Sequence, residues 1–593
     1  MATRYIAFAS KTRTLNVDAL SVQRATGLEL QVTGATWAVF SSPEDSVNFP
    51  HGRGLIVGPL FDRTSSDRRV KSINNPTAQS IIDSTGSRLI RDFWGGYIAL
   101  FEDESDRKIR ILRDPSGALP CYWAETTDEW IICSDVETLT DSGFLTPEVN
   151  WEFLPRHFLA YDLRSEVTGL NGVRELLAGQ LLTLNGHAYD VSAIWSPWDH
   201  VDLSLKMTDE AVIENIRETV ISCVRAWGSS FRRILLGVSG GLDSSIIATA
   251  LAGQTDLSCY TMATKDPDGD ERKYARILTT ALNLPLFERF YERDHVDLRK
   301  STSAHLARPL LFAFAQSSQK ARSEIMAAHD MDALFTGIGG DNVFCHMLSA
   351  TSLVDRLRVE GPGHGAWQTL NDICELTGCT LWQALRKALG QLNNRDATYH
   401  WDRTTRFLSS DAAEASVQPL THSWLAAPPG ALPGKAVHIS MLVRIQGTID
   451  GLSRRLPPLV NPLLSQPIVE ACLRIPTWKW CQDGRNRAPV RRAFAELLPK
   501  TLIQRRSKAG PSSFAFEVME SNRLILRDLL LDGMLASKGL LDMDALEHVL
   551  CGSQPIHADD YQRVAAIAEA EVWVRHWSGK ASVLPPERIL LQS

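Results

Sequence analysis

Residues 235 to 245 read LLGVSGGLDSS, an apolar run that stops abruptly in Ser-Gly-Gly-Leu-Asp-Ser-Ser. With FRRI before it, the run is short, dominated by Leu, Ile and Val, and bounded by glycine, the pattern of a strand buried on both faces of a parallel sheet. SSIIATALA then continues as a helix. A strand, a glycine turn and a helix N-terminus bring unpaired amides and the positive end of the helix dipole to one spot, so an anion belongs there. Gly240 and Gly241 let backbone approach a phosphate closely. The candidate nucleotide-binding residues are Leu236, Gly237, Val238, Ser239, Gly240, Gly241, Leu242, Asp243, Ser244 and Ser245.

This is not a Walker A loop, because no GxxxxGK occurs; GALPGK at 430 to 435 is one residue short and sits among prolines. Hydroxyls and a carboxylate stand where that loop has its lysine. Ser239, Ser244 and Ser245 can donate to phosphate oxygens, whereas Asp243 would repel them unless Mg²⁺ lay between. From Ser239 to Ser245 the chain resembles the PP-loop ATP pyrophosphatases, whose SGGxDSS signature it matches without a gap. The resemblance implies that ATP is split between its α and β phosphates to make an acyl adenylate.

Downstream, LSCYTMAT (257 to 264) has the composition of a second strand. Tyr274, Ile277, Leu278, Ala281 and Leu282 then fall on one helical face, with Asp270 near the start. Resemblance to asparagine synthetases places Met262 near the adenine. A third strand, DALFTG (332 to 337), runs into Ile338, Gly339, Gly340 and Asp341. Open α/β sheets bind ligands at the carboxyl ends of their strands, so Asp243 and Asp341 are expected to face one cavity and hold Mg²⁺ together. The segments at 457 to 480 and 486 to 514 resemble the C-terminal part of asparagine and β-lactam synthetases. In that resemblance Lys508 is the lysine that reaches the acyl adenylate and pyrophosphate, a point charge that offsets developing negative charge.

In the N-terminal third, RDFWGGYIALFEDESDRKIRILRDPSGALPCYW and WIICSDVETL resemble the glutaminase-like domain of asparagine synthetase, an N-terminal-nucleophile fold of stacked sheets. That family's nucleophile is a cysteine exposed once Met is removed. Here residue 2 is Ala2, and no cysteine precedes Cys121. Without the thiolate no glutaminyl thioester forms, so no ammonia is expected from this domain. The departure points to relatives that close rings with an amine of the substrate itself: β-lactam synthetases and lasso peptide cyclases.

Between those two, Ile338 stands where asparagine and β-lactam synthetases carry Glu or Tyr. A side chain without a proton acceptor suits an amine basic enough to act nearly alone, and a peptide α-amine, with a pKa of about 7.7 to 8, is such an amine. The strings GIGGDNVFC, NPLLSQPIVEACLRIPTW and DGRNRAPVRRAF also look like those of lasso peptide cyclases. The resemblance implies that ATP and Mg²⁺ activate an Asp or Glu side chain of a precursor peptide, whose α-amine then closes a macrolactam. It implies a leader peptidase and a leader-binding protein as partners.

The expected architecture is α/β, a degenerate glutaminase-like αββα domain over 1–200 followed by an ATP pyrophosphatase domain over 201–593. A helical subdomain is expected at about 345–450. At 593 residues the chain exceeds one ordinary core. Its formal net charge of -7 offers no global basic field to a nucleic acid. No apolar run is long enough to span a bilayer and no signal peptide opens the chain, so a cytoplasmic protein is expected. Ten cysteines without a CxxC pair suit reduced thiols better than a disulfide framework or zinc site.

Overall fold

The computed structural model describes residues 3–583 apart from 13, 65–67, 104, 203–207, 311–312, 393–396, 416–419, 451–455, 507–508 and 553. Two six-stranded antiparallel sheets form the N-terminal domain. In spatial order one contains Val173–Glu175, Tyr122–Glu125, Glu129–Cys133, Tyr5–Ser10, Trp37–Ser41 and Glu29–Thr33. The other contains Ala188–Ala193, Gln180–Asn185, Lys108–Arg113, Ile98–Asp103, Gly54–Val57 and Ser46–Asn48.

The period of two along a strand explains how the sheets stack. Tyr5, Ala7 and Ala9 point inward and meet Leu55, Val57, Ile98, Leu100 and Ile111 of the opposite sheet. Ile6 and Phe8 point the other way, into a core shared with Leu154, Phe158, Trp573 and Trp577 from helices. The second sheet turns Ile56, Ala99, Phe101 and Leu112 towards helices Asn75–Asp83 and Ser87–Asp92. Both sheets are thus buried on both faces, which gives four layers in the order αββα.

The second domain is built on a five-stranded, wholly parallel sheet in the order Leu286–Phe290, Asp256–Ala263, Arg233–Gly237, Ala333–Phe335 and Leu459–Val460. Ile234, Leu235 and Leu236 are fully buried, as a central parallel strand requires. Helices Leu242–Leu251 and Arg272–Leu282 follow the first two strands, the first where SSIIATALA continues from the glycine turn and the second where the apolar periodicity predicts it. In chain order the sheet reads third, second, first, fourth, fifth. Its direction therefore reverses between Arg233–Gly237 and Ala333–Phe335, and the crevice between their carboxyl ends is where such sheets take ligands.

From 345 to 450 the described residues are largely helical: Thr351–Glu360, His364–Thr377, Leu381–Leu392, Ser410–Ala415 and Pro433–Thr448. The His364–Thr377 helix reaches this crevice through its end. Asp372 accepts from the Gly484 amide at 3.1 Å, and Glu375 lies 3.0 Å from Arg506.

Candidate active site

Behind the Arg233–Gly237 strand the chain turns through Gly240, whose φ of 63° is the left-handed region that glycine tolerates. A Cβ there would also lie 2.2 Å from Tyr274 Cβ, so the turn packs directly on the next helix. Gly241 caps the Leu242–Leu251 helix with no side-chain hydrogen bond, leaving the first-turn amides for a ligand. Ser239 Oγ accepts from the Gly241 amide at 3.3 Å, and Ser245 Oγ donates to Gly241 O at 2.7 Å. These bonds brace the loop internally.

The loop opens on a cavity of about 570 Å³. Gly237, Val238, Ser239, Gly241, Leu242, Asp243 and Ser244 line one wall, Met262 another, and Gly339 and Asp341 a third. Four expected residues stand behind these walls. Leu236 is wholly buried in its strand, Gly240 makes the turn, Ser245 braces it, and Gly340 backs the Asp243 carboxylate. A Cβ at Gly340 would fall 2.4 Å from Asp243 Cγ, so only glycine lets the two loops close on each other. Lys508 lies outside the described residues.

Asp243 and Asp341 do face one point, and Arg487 occupies it. Arg487 Nη1 donates to both Asp243 oxygens at 2.9 Å and lies 2.6 Å from Asp341 Oδ1. Among the described residues no group of three or more His, Cys, Asp or Glu is placed to hold a metal. Two carboxylates still fit Mg²⁺, which commonly takes one or two from the protein and completes its octahedron with phosphate and water. Asp243 and Asp341 would hold it.

The remaining walls are basic. Arg322, Arg491, Arg505 and Arg506 line the cavity with Arg487. Burial, then the Arg487 and Arg485 cations beside it, push the Arg491 guanidinium down to about 10. Such crowding of cations favours a polyanionic ligand. Glu271 offsets part of it: it accepts from Arg505 Nη2 and from the Ala509 amide, the latter at 3.0 Å. Arg505 also donates to Ser239 O at 3.0 Å and stacks on Tyr274, 3.9 Å from the ring centre.

Position 338 carries no proton acceptor, and Ile338 stands 46% exposed at the cavity rim. The cavity itself is not without an ionisable ring. His346 Nδ1 is 3.3 Å from Asp341 Oδ1, and its Nε2 is 3.2 Å from the Asn486 amide. The sequence offered little sign of His346, Arg487 or Glu271; the basic string NRAPVRR was the one available cue, and it does not say which arginine turns inward.

An αββα sandwich is thus joined to a parallel-sheet domain that places the SGGLDSS turn and two facing carboxylates at its switch point, the architecture of a two-domain α/β protein with an anion-suited crevice. Residues 215–433 and 459–575, more than half the chain, match the asparagine synthase family, and 78–195 match a glutamine amidotransferase domain. The chain belongs to the asparagine synthase family.

Among curated relatives, asparagine synthetase [glutamine-hydrolyzing] 2 of Bacillus subtilis (strain 168) is 25% identical over 235 residues, covering 38% of this chain and 31% of that protein. The glutamine-hydrolysing asparagine synthetase of Gallus gallus is 30% identical over 164 residues, covering 26% of this chain and 27% of that protein. The chain thus matches less than a third of the length of either relative. The solved glutamine phosphoribosylpyrophosphate amidotransferase of B. subtilis aligns over 73% of this chain and 99% of its own at 9% identity and a TM-score of 0.21, a likeness too slight to bear on the fold.

Proposed function

We propose that this chain is an ATP-dependent amide-forming ligase, and specifically a lasso peptide cyclase. One observation carries the proposal: a basic crevice beside the SGGLDSS turn is joined to an amidotransferase-like domain whose cysteines are buried. The only cysteines in the first 200 residues are Cys121 and Cys133. Burial pushes the Cys121 thiol up to about 11 and Cys133 well above its ordinary value, so neither is a thiolate near pH 7. The attacking nitrogen is then the substrate's own.

In the reaction, a side-chain carboxylate oxygen of a precursor peptide attacks the α-phosphorus of ATP, and pyrophosphate leaves. The peptide's α-amine attacks the acyl carbon, AMP departs with the C–O bond electrons, and the nitrogen loses its proton as the isopeptide bond forms. The PP-loop amides and Ser239 and Ser244 hold phosphate oxygens, and the arginine wall offsets the charge that accumulates on pyrophosphate. Met262 bounds the adenine side. Asp243 and Asp341 would hold Mg²⁺, which would supply further charge neutralisation at the phosphates. The family resemblance assigns Lys508 a charge-offsetting role towards the same intermediate. The exposed, apolar Ile338 at the rim suits a peptide better than free aspartate.

The peptide reaches this cytoplasmic enzyme through a leader-binding protein and a leader peptidase. All ten cysteines are free, and no described helix is long and apolar enough to cross a membrane. The test incubates the protein with Mg²⁺-ATP and a leader-free precursor from the same gene neighbourhood, beside a parallel sample with aspartate and ammonium. AMP together with a peptide lighter by one water is the expected result. Asparagine in the second sample, with no peptide product in the first, would replace the cyclase by an ammonia-dependent asparagine synthetase.

A further inference from the structure

Among the described residues five arginines line the crevice, and four are engaged within the protein. Arg487 holds the two aspartates, Arg491 donates to Asn486 O at 2.9 Å, Arg505 donates to Ser239 O at 3.0 Å, and Arg506 lies 3.0 Å from Glu375. Arg322 differs from them. It is half-buried, no hydrogen bond or ion pair from a described residue reaches it, and its Nε is buried without a partner. A guanidinium placed this way is costly to keep from water unless a ligand completes its bonds.

The fold fixes Arg322 and two phenols beside one another. In the first turn of the Ala315–Ala328 helix Ser317 Oγ accepts from the Glu292 amide at 2.8 Å, and Ile325 and Met326 of that helix pack with Tyr260, Leu235 and Leu334 on one face of the sheet. Tyr291 follows the Leu286–Phe290 strand and lays its ring on Phe514, 5.0 Å between centres. Tyr260 and Tyr291 line the cavity with Arg322, and no described residue bonds to either hydroxyl. Burial pushes the Tyr291 phenol up to about 12; Tyr260 beside it adds to the rise and the Arg322 cation opposes it. The Tyr291 hydroxyl is therefore a donor near pH 7.

A guanidinium fork with two hydroxyls suits the paired oxygens of a carboxylate. Phosphates have other donors, the first-turn amides of Leu242–Leu251 and the arginines around Ser239, and the rest of a nucleotide carries no anion. We propose that Arg322, Tyr260 and Tyr291 form the subsite that takes the acyl substrate's carboxylate before its activation. This subsite deepens the ligase reading and stands on it. One carboxylate oxygen attacks the α-phosphorus, the bond to the leaving oxygen breaks, and pyrophosphate departs with the electron pair. The acyl group then bears no negative charge, so Arg322 grips the substrate more tightly than the adenylate. Its loss belongs in KM for the carboxylate substrate and not in kcat.

AMP formation by the full-length protein is followed at saturating Mg²⁺-ATP against the concentration of leader-free precursor, and separately against aspartate with ammonium. Calorimetry gives the Kd of a non-hydrolysable ATP analogue for each protein. Arg322→Met is expected to raise KM for the carboxylate substrate at least about tenfold, the scale of a lost charge-assisted hydrogen bond, with kcat and the analogue's Kd changed by less than about threefold. Arg322→Lys keeps the charge without the fork and should recover part of the loss, while Tyr291→Phe should raise KM about two- to fivefold. These two milder variants carry the test if Arg322→Met does not fold. An analogue Kd weakened about tenfold in Arg322→Lys or in a folded Arg322→Met would assign the guanidinium to the nucleotide and overturn the proposal. AMP formation with KM unchanged in the variants ends the subsite alone, and no AMP from the wild type with either substrate ends the ligase reading and the subsite together.

Discussion

Asp243 and Asp341 show how far single side chains can be read. Each sits one turn past a strand end, and the approach between them depends on Gly340, which has no atom where a Cβ would strike Asp243. Asp243→Ala and Asp341→Ala are each expected to lower AMP formation at least about 100-fold, the scale seen when one preorganised charge is removed from a reacting centre. Mass spectrometry of AMP in the presence of peptide and ATP reads this directly, and full activity in either variant removes that residue from the mechanism. Both carboxylates could be picked out because glycine turns after apolar strands are visible in one dimension. Arg487 could not: it meets Asp243 across 244 positions of chain, through a left-handed backbone that no local pattern announces.

Glu271 joins three elements at once. It begins the Arg272–Leu282 helix and accepts from the amide of Ala509 and from Arg505, whose other nitrogen holds Ser239 O. Lys508, by sequence, lies between these two anchors. Glu271→Gln keeps the shape and weakens both charge-assisted bonds. The expected outcome is a fall of about tenfold in kcat with a smaller change in KM for ATP, because the loop is loosened while the PP-loop remains. A lowered melting temperature with unchanged kcat would reduce Glu271 to a structural brace. Other elements around this site were legible: Arg233–Gly237 and Asp256–Ala263 fall where apolar composition puts strands, and Arg272–Leu282 where apolar periodicity puts a helix. The Leu459–Val460 strand was not, since two residues after Pro457 and Pro458 carry no period, and only pairing with Leu334 and Phe335 makes them a strand.

At the scale of the whole molecule, buried charge ties the sandwich to the second domain. Arg113 and Arg164 of the N-terminal domain share Glu175 at 2.9 and 3.2 Å; Arg164 reaches on to Asp450, which lies 3.0 Å from Arg308. All five groups are buried, so loss of any carboxylate would strand a cation. The Ala558–Val583 helix crosses the same boundary: Arg563 donates to Phe158 O at 2.5 Å, and Trp573 Nε1 to Leu306 O at 3.0 Å. Between them, Glu569 accepts from Ser301 Oγ at 2.6 Å and the Ser303 amide at 2.9 Å. Burial pushes its carboxyl from 4.5 up to about 7, against the opposing pull of those donors. The folded chain therefore holds this proton more tightly than the unfolded chain. Its stabilising contribution is complete below the unfolded value near 4.5 and is lost as pH rises through about 7. Glu569→Gln imitates the protonated side chain and keeps an oxygen for both donors, so it should match the wild type in thermal melts at pH 4.5 and exceed it at pH 8. The difference between the two proteins isolates this group from other buried acids that titrate nearby, such as Asp114 and Asp355, each raised to about 6. Melting curves that stay parallel across the whole window would show that Glu569 does not carry the titration and that the final helix is held without it.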